Sequence, residues 1–147
     1  MGAFATSASI LLAMSGWSVA LVTSDSRARL AWTFGLGAYL LHVSSAFGVY
    51  YGWSHDTALA ETERQTAEVV GIETGVGLWV NYAFTAILAL DVLQQWCGGI
   101  RRFGTAVDWL VIFMIVNGAV VFADGFVRIF GAVLVGAVIG LRWRMRD

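Results

Sequence analysis

His42 is the side chain in this sequence best placed to do chemistry, because it stands in a long apolar run where an ionisable group is costly and needs a purpose. An imidazole at that depth is how b-type membrane cytochromes hold iron, and Met114, in a later apolar run, supplies a thioether that would complete His/Met ligation of haem b. His55 follows His42 by 13 residues, which on one helix is about 20 Å. The two histidines therefore cannot ligate one iron within one chain, and bis-His ligation would need a second chain. The sequence contains no CxxCH, which excludes covalent haem attachment. The plainer reading makes His42 hydrogen-bonding glue with Asn81, Asn117 or Ser44 at a common depth near the membrane midplane, each bond contributing roughly 1 kcal/mol or less.

Glu73 and Asp91 are 18 residues apart, so one unbroken helix would carry both on one face, as the two mouths of a proton or ion path. Asn81 would lie between them, rotated roughly 80° from their face. Boundary charges, with Asp91 beside Arg101 or Arg102, are the simpler account. His55, Asp56, Glu61 and Glu63 are ligand types that suit zinc or a similar divalent ion. Without HExxH, CxxC or a second nearby His they read as a helix N-terminus with a solvated acidic face, and no metal site is assigned. Nucleophile and phosphate-binding patterns such as GxSxG and GxxxxGKS/T do not occur, so the chain is expected not to be an enzyme.

The elements that must position these residues are membrane spans. The chain is 59% hydrophobic and 13% charged, with no Pro, and its long apolar stretches make it an all-α integral membrane protein. A net charge of −1 supplies no basic face for nucleic acid. The single Cys97 cannot form an intrachain disulfide. A spanning helix needs roughly 20 apolar residues, which places crossings at about 3–23, 31–52 and 71–94. The first of these lacks the basic n-region of a signal peptide. The apolar region from Val107 to Leu141 would be roughly 50 Å long as one helix. A hairpin at Asp124-Gly125 is therefore expected, with short spans at about 107–123 and 127–141; the runner-up is one long tilted helix with an Asp124–Arg128 pair.

Five crossings put Arg27, Arg29, Arg101, Arg102, Arg142, Arg144 and Arg146 on one side, with Arg64 and Arg128 opposite. The positive-inside rule then places the N-terminus outside and the C-terminus in the cytoplasm, in the inner (cytoplasmic) membrane of a bacterium. Trp32, Trp53, Trp96, Trp109 and Trp143 fall at span ends, where amphipathic rings prefer the headgroup level.

Between the second and third spans, residues 56–70 have a Ser54 or Asp56 cap, early carboxylates and an Arg64–Glu68 pair at i,i+4. They read as an amphipathic helix on the outer surface. Glu61, Glu63 and Glu68 would give it an acidic docking face. Gly71 and Gly75, and more persuasively Gly136 and Gly140, form GxxxG patterns that allow close helix approach. The expected function is a non-catalytic integral subunit of a larger membrane complex, with the lipid bilayer and other membrane subunits or a second copy as partners. A small haem- or cofactor-binding electron-transfer protein using His42 is the alternative, and a proton or ion conductor the second.

Overall fold

The computed structural model describes residues 2–98 and 104–144. Among them the chain is entirely helical: α1 (Gly2–Val22), α2 (Asp25–Tyr50), α3 (His55–Val70), α4 (Val76–Trp96), α5 (Gly104–Ile115), a π-helical segment (Val116–Phe122) and α6 (Gly125–Arg144). Five helices are long and apolar enough to cross a membrane, the fourth running from α5 through the π segment to Phe122. The fold is that of an all-α, multi-pass membrane protein.

The hairpin at Asp124-Gly125 is present. Ala123 is extended and Gly125 takes φ +56°, a left-handed conformation that glycine adopts without steric cost. Arg128 ties the turn by donating to Ala123 O at 2.7 Å and to Asp124 Oδ1 at 3.1 Å. The Asp124–Arg128 pair expected of one long helix thus forms across a turn.

The largest interface joins α1 to α2; α6 packs on α1 and the π segment, and α2 on α4. Glycine permits the α1–α2 approach. A Cβ on Gly16 would lie 3.1 Å from the backbone of Gly35, and one on Gly35 would lie 2.5 Å from Trp17 Nε1. The core at this seam is aromatic: Trp17, Tyr39 and Phe84 pack with ring centroids 5.3 to 5.7 Å apart. At the opposite end Arg142 on α6 donates to Asp108 on α5 at 2.9 Å.

Three expectations change. The third crossing begins at Val76 and not at residue 71, because Gly71 ends α3 in a left-handed conformation (φ +76°) and Gly75 is the residue before α4. The first GxxxG therefore marks two helix ends; Gly75 is packed beneath Leu59. The second crossing begins at Asp25, so Trp32 lies nearly two turns inside it and is 1% exposed, a core residue and not an interfacial anchor. Trp79, in the first turn of α4, is exposed instead.

Candidate functional site

His42 lies eight residues from the C-terminal end of α2, about 12 Å along the helix. The glycine-ended linker similarly moves Asn81 to about 8 Å from the start of α4. His42 and Asn81 therefore gather toward the α3 end of the bundle and not at its middle.

His42 Nδ1 meets Thr6 O of α1 at 2.8 Å. A carbonyl can only accept, so Nδ1 carries the proton and Nε2 keeps its lone pair. Nε2 has no hydrogen-bond partner among the described residues. The Thr6 hydroxyl lies 3.1 Å from Ser45 Oγ, which donates to His42 O at 3.0 Å. This small network fixes the imidazole between α1 and α2.

The ring borders a cavity of about 290 Å³ whose walls include Met14 and Trp17 of α1, Tyr39 and His42 of α2, Asn81 and Phe84 of α4, and Met114 with Gly118 of α5 and the π segment. His42, Asn81 and Met114 are thus brought together. Asn117 is not part of the wall although Ile115, Gly118 and Ala119 are, because the wider π turns shift which side chains face inward. Neither Trp17 Nε1 nor Tyr39 Oη, both buried in the same aromatic cluster, makes a hydrogen bond among the described residues. The volume is about twice the ~150 Å³ that accepts benzene. A metal ion or small ligand would fit there, whereas a porphyrin would require the surrounding helices to part.

A second cavity, of about 400 Å³, shares Thr6 and His42 with the first and continues past Tyr50, Tyr51, Thr57, Glu61 and Gln65 of the α2 end and α3. His42 therefore stands between the bundle interior and α3.

α3 forms as expected, starting at His55. Ser54 Oγ accepts from Thr57 N at 3.2 Å, an N-cap bond. Arg64 binds both Glu61 and Glu68. Its guanidinium, helped by Gln65, holds the Glu61 carboxyl down at about 2, and the carboxylates in turn push the Arg64 pKa up. Burial pushes the Tyr51 phenol up, with the charge of Glu61 adding to it. Two of the three docking acids thus share Arg64 within α3, and the trio of Glu61, Arg64 and Glu68 keeps a net charge of −1, while Glu63 stands beside Gly75 at the start of α4.

His55 Nδ1 lies 3.0 Å from Tyr82 Oη, and its ring packs between Tyr82 and Trp79. Among the described residues no three His, Cys, Asp or Glu side chains gather as a metal site. Glu73 is exposed in the linker before α4, so the expected single helical face carrying Glu73 and Asp91 does not exist. Asp91 is 6% exposed and accepts from Gln95 Nε2 at 2.8 Å; its expected neighbours Arg101 and Arg102 lie outside the described residues. Gly136 and Gly140 face open space, whereas a Cβ on Gly131 would lie 2.7 Å from Ala119. The glycine that seats α6 is therefore Gly131.

The sequence reading missed Thr6, Met14, Trp17 and Tyr39. Gly16 and Gly35 were the available signal for them, since a glycine on each arm of a short helical hairpin fixes which residues of the two arms are level. No family model, curated protein or solved structure matches the chain.

Proposed function

We propose that this chain is a non-catalytic integral subunit of a larger membrane complex, and that a transmembrane helix of another polypeptide lies along the seam between α4 and α5. One observation carries the reading: the seam is open on both halves of the bundle. The cavity at His42 reaches the seam at Asn81 and Phe84 of α4 and Met114 and Ile115 of α5, and a further cavity, of about 430 Å³, runs along its inner part between Ile87, Leu90, Asp91 and Gln94 of α4 and Ala106, Val107 and Leu110 of α5. Asn81 faces the outer part, is exposed, and has no side-chain hydrogen bond among the described residues.

A primary amide facing hydrocarbon without a partner costs on the order of 2–7 kcal/mol, so a membrane protein gains by covering it. A neighbouring helix fits the long narrow shape and can supply the hydrogen bond. The open glycines Gly136 and Gly140 on α6 offer a second close-approach face. The arginines at the Cys97 end of the bundle set the orientation in this reading, with the N-terminus and α3 outside and the C-terminus in the cytoplasm of a bacterial inner membrane. Replacement of Asn81 by Leu tests it: the variant should insert normally but copurify with less of its partner, whereas unchanged copurification under the same solubilisation would contradict the seam as the contact.

A further inference from the structure

We infer that the cavity beside His42 is a Cu(I) site, with His42 Nε2 and the thioethers of Met14 and Met114 as ligands. The chain contains four methionines. Met1 and Met145 lie at its two ends, and both interior methionines stand in the wall of this one cavity, together with the one histidine inside a span. They come from three helices, α1, α2 and α5, as a closed metal site requires.

Register sets the spacing of Met14 and His42 along the bundle. Thr6 meets Ser45, and Gly16 faces Gly35, so residues of α1 and α2 that sum to about 51 lie side by side and His42 is level with Ser9. Side chains on a helix lean toward its N-terminus. Met14, level with Gly37 on this register, lies about 7.5 Å along the axis from His42 and leans back toward it, and both line the one cavity.

The donor set selects the metal. Neutral thioether and imidazole ligands suit soft Cu(I), whereas calcium and magnesium demand oxygen donors and zinc prefers thiolate, imidazole or carboxylate. No charged side chain lines the cavity, which fits a monovalent ion better than a divalent one. The Nδ1–H to Thr6 O bond is the outer-shell contact that fixes a ligating imidazole with its other nitrogen free. Trp17, in the same wall, offers an aromatic face to a cation. The adjoining cavity, which shares His42 and opens toward α3, supplies the access route. The ion enters and leaves as Cu(I), so no electron transfer is invoked.

The test uses the full chain purified in detergent with Cys97→Ser, which removes the exposed thiol as a competing soft ligand. Cu(I) is titrated in competition with bicinchoninate under reducing conditions, and X-ray absorption reads the ligands. The expected result is one Cu(I) per chain with mixed nitrogen and sulfur ligation. Met14→Leu and Met114→Leu, which nearly conserve volume, should each weaken binding by at least the about 10–100-fold that an outer-shell change costs. His42→Gln combined with both should abolish it, with thermal unfolding confirming that the single Leu variants remain folded. A folded protein that retains no Cu(I), or one whose Cu(I) is held equally well by the triple variant, overturns the assignment. So does a Soret band in protein from native membranes that disappears in the Met114→Leu variant.

Discussion

Gly35→Ala probes the packing on which the site depends. Its added Cβ would lie 2.5 Å from Trp17 Nε1, well inside contact distance. Trp17 cannot swing away, since it is 2% exposed and held between Tyr39 and Phe84. Overpacking of this kind costs about 1–3 kcal/mol. The middle of that range, about 2 kcal/mol, is roughly a 30-fold change in the folded-to-unfolded ratio. Gly37→Ala, two residues on, meets nothing within 4 Å and serves as the control, expected to be neutral or to stabilise by up to about 1 kcal/mol through helix propensity. The assay is equilibrium unfolding in mixed micelles, followed by tryptophan fluorescence. Trp17→Phe should restore part of the loss in the Gly35→Ala background, because residues in contact couple in a double-mutant cycle. Equal stability of the Gly35 and Gly37 variants would refute the α1–α2 seam as described.

At the other end of the bundle, Arg142→Leu removes an ion-pair partner of the Asp108 carboxylate, whose side chain is 15% exposed, and should cost about 1–3 kcal/mol in the same unfolding assay. Arg64→Ala should raise the Glu61 titration from about 2 toward the usual carboxylate range, read by NMR of the isotope-labelled chain in micelles. Because the folded value lies below the unfolded 4.5, the stabilisation is complete above that pH and is lost as pH falls toward 2. The effect on stability is small, because the pair faces solvent. Thiol labelling of Glu63→Cys and Arg144→Cys in a Cys97→Ser background should reach the two from opposite sides of the membrane, and native Cys97 should label with Arg144→Cys.

Hydropathy and glycine placement made the five crossings legible, because each span needs only its own length of apolar sequence, and Asp124-Gly125 interrupts the last apolar region with a charge and a flexible residue. α3 was legible from its cap and its i,i+4 charges. What stayed hidden depends on contacts between helices. Nothing near His42 in sequence points to the Thr6 carbonyl as its partner, since the link is a backbone atom 36 residues away. Glu73 and Asp91 have helical spacing, yet Gly71 and Gly75 break the helix between α3 and α4, and spacing alone does not show which glycines bend the chain. The π segment over residues 116–122 turned Asn117 away from a wall that its neighbours line, and no residue in VNGAVVF announces the change of pitch. Met14 has nothing in its sequence neighbourhood to single it out, since its interest comes only from the cavity it shares with His42 and Met114.

The most direct test of the account is photo-crosslinking in native membranes with benzoylphenylalanine at Leu90, in the open seam, and at Leu41, on the outer face of α2. Both positions are 59% exposed in the isolated chain, so exposure alone cannot separate them. Leu90 should give a discrete adduct with a different membrane polypeptide, while Leu41 gives lipid adducts only. Lipid adducts alone at both positions, or an adduct of twice the mass of this chain at Leu90, would contradict the proposal that another polypeptide fills the seam.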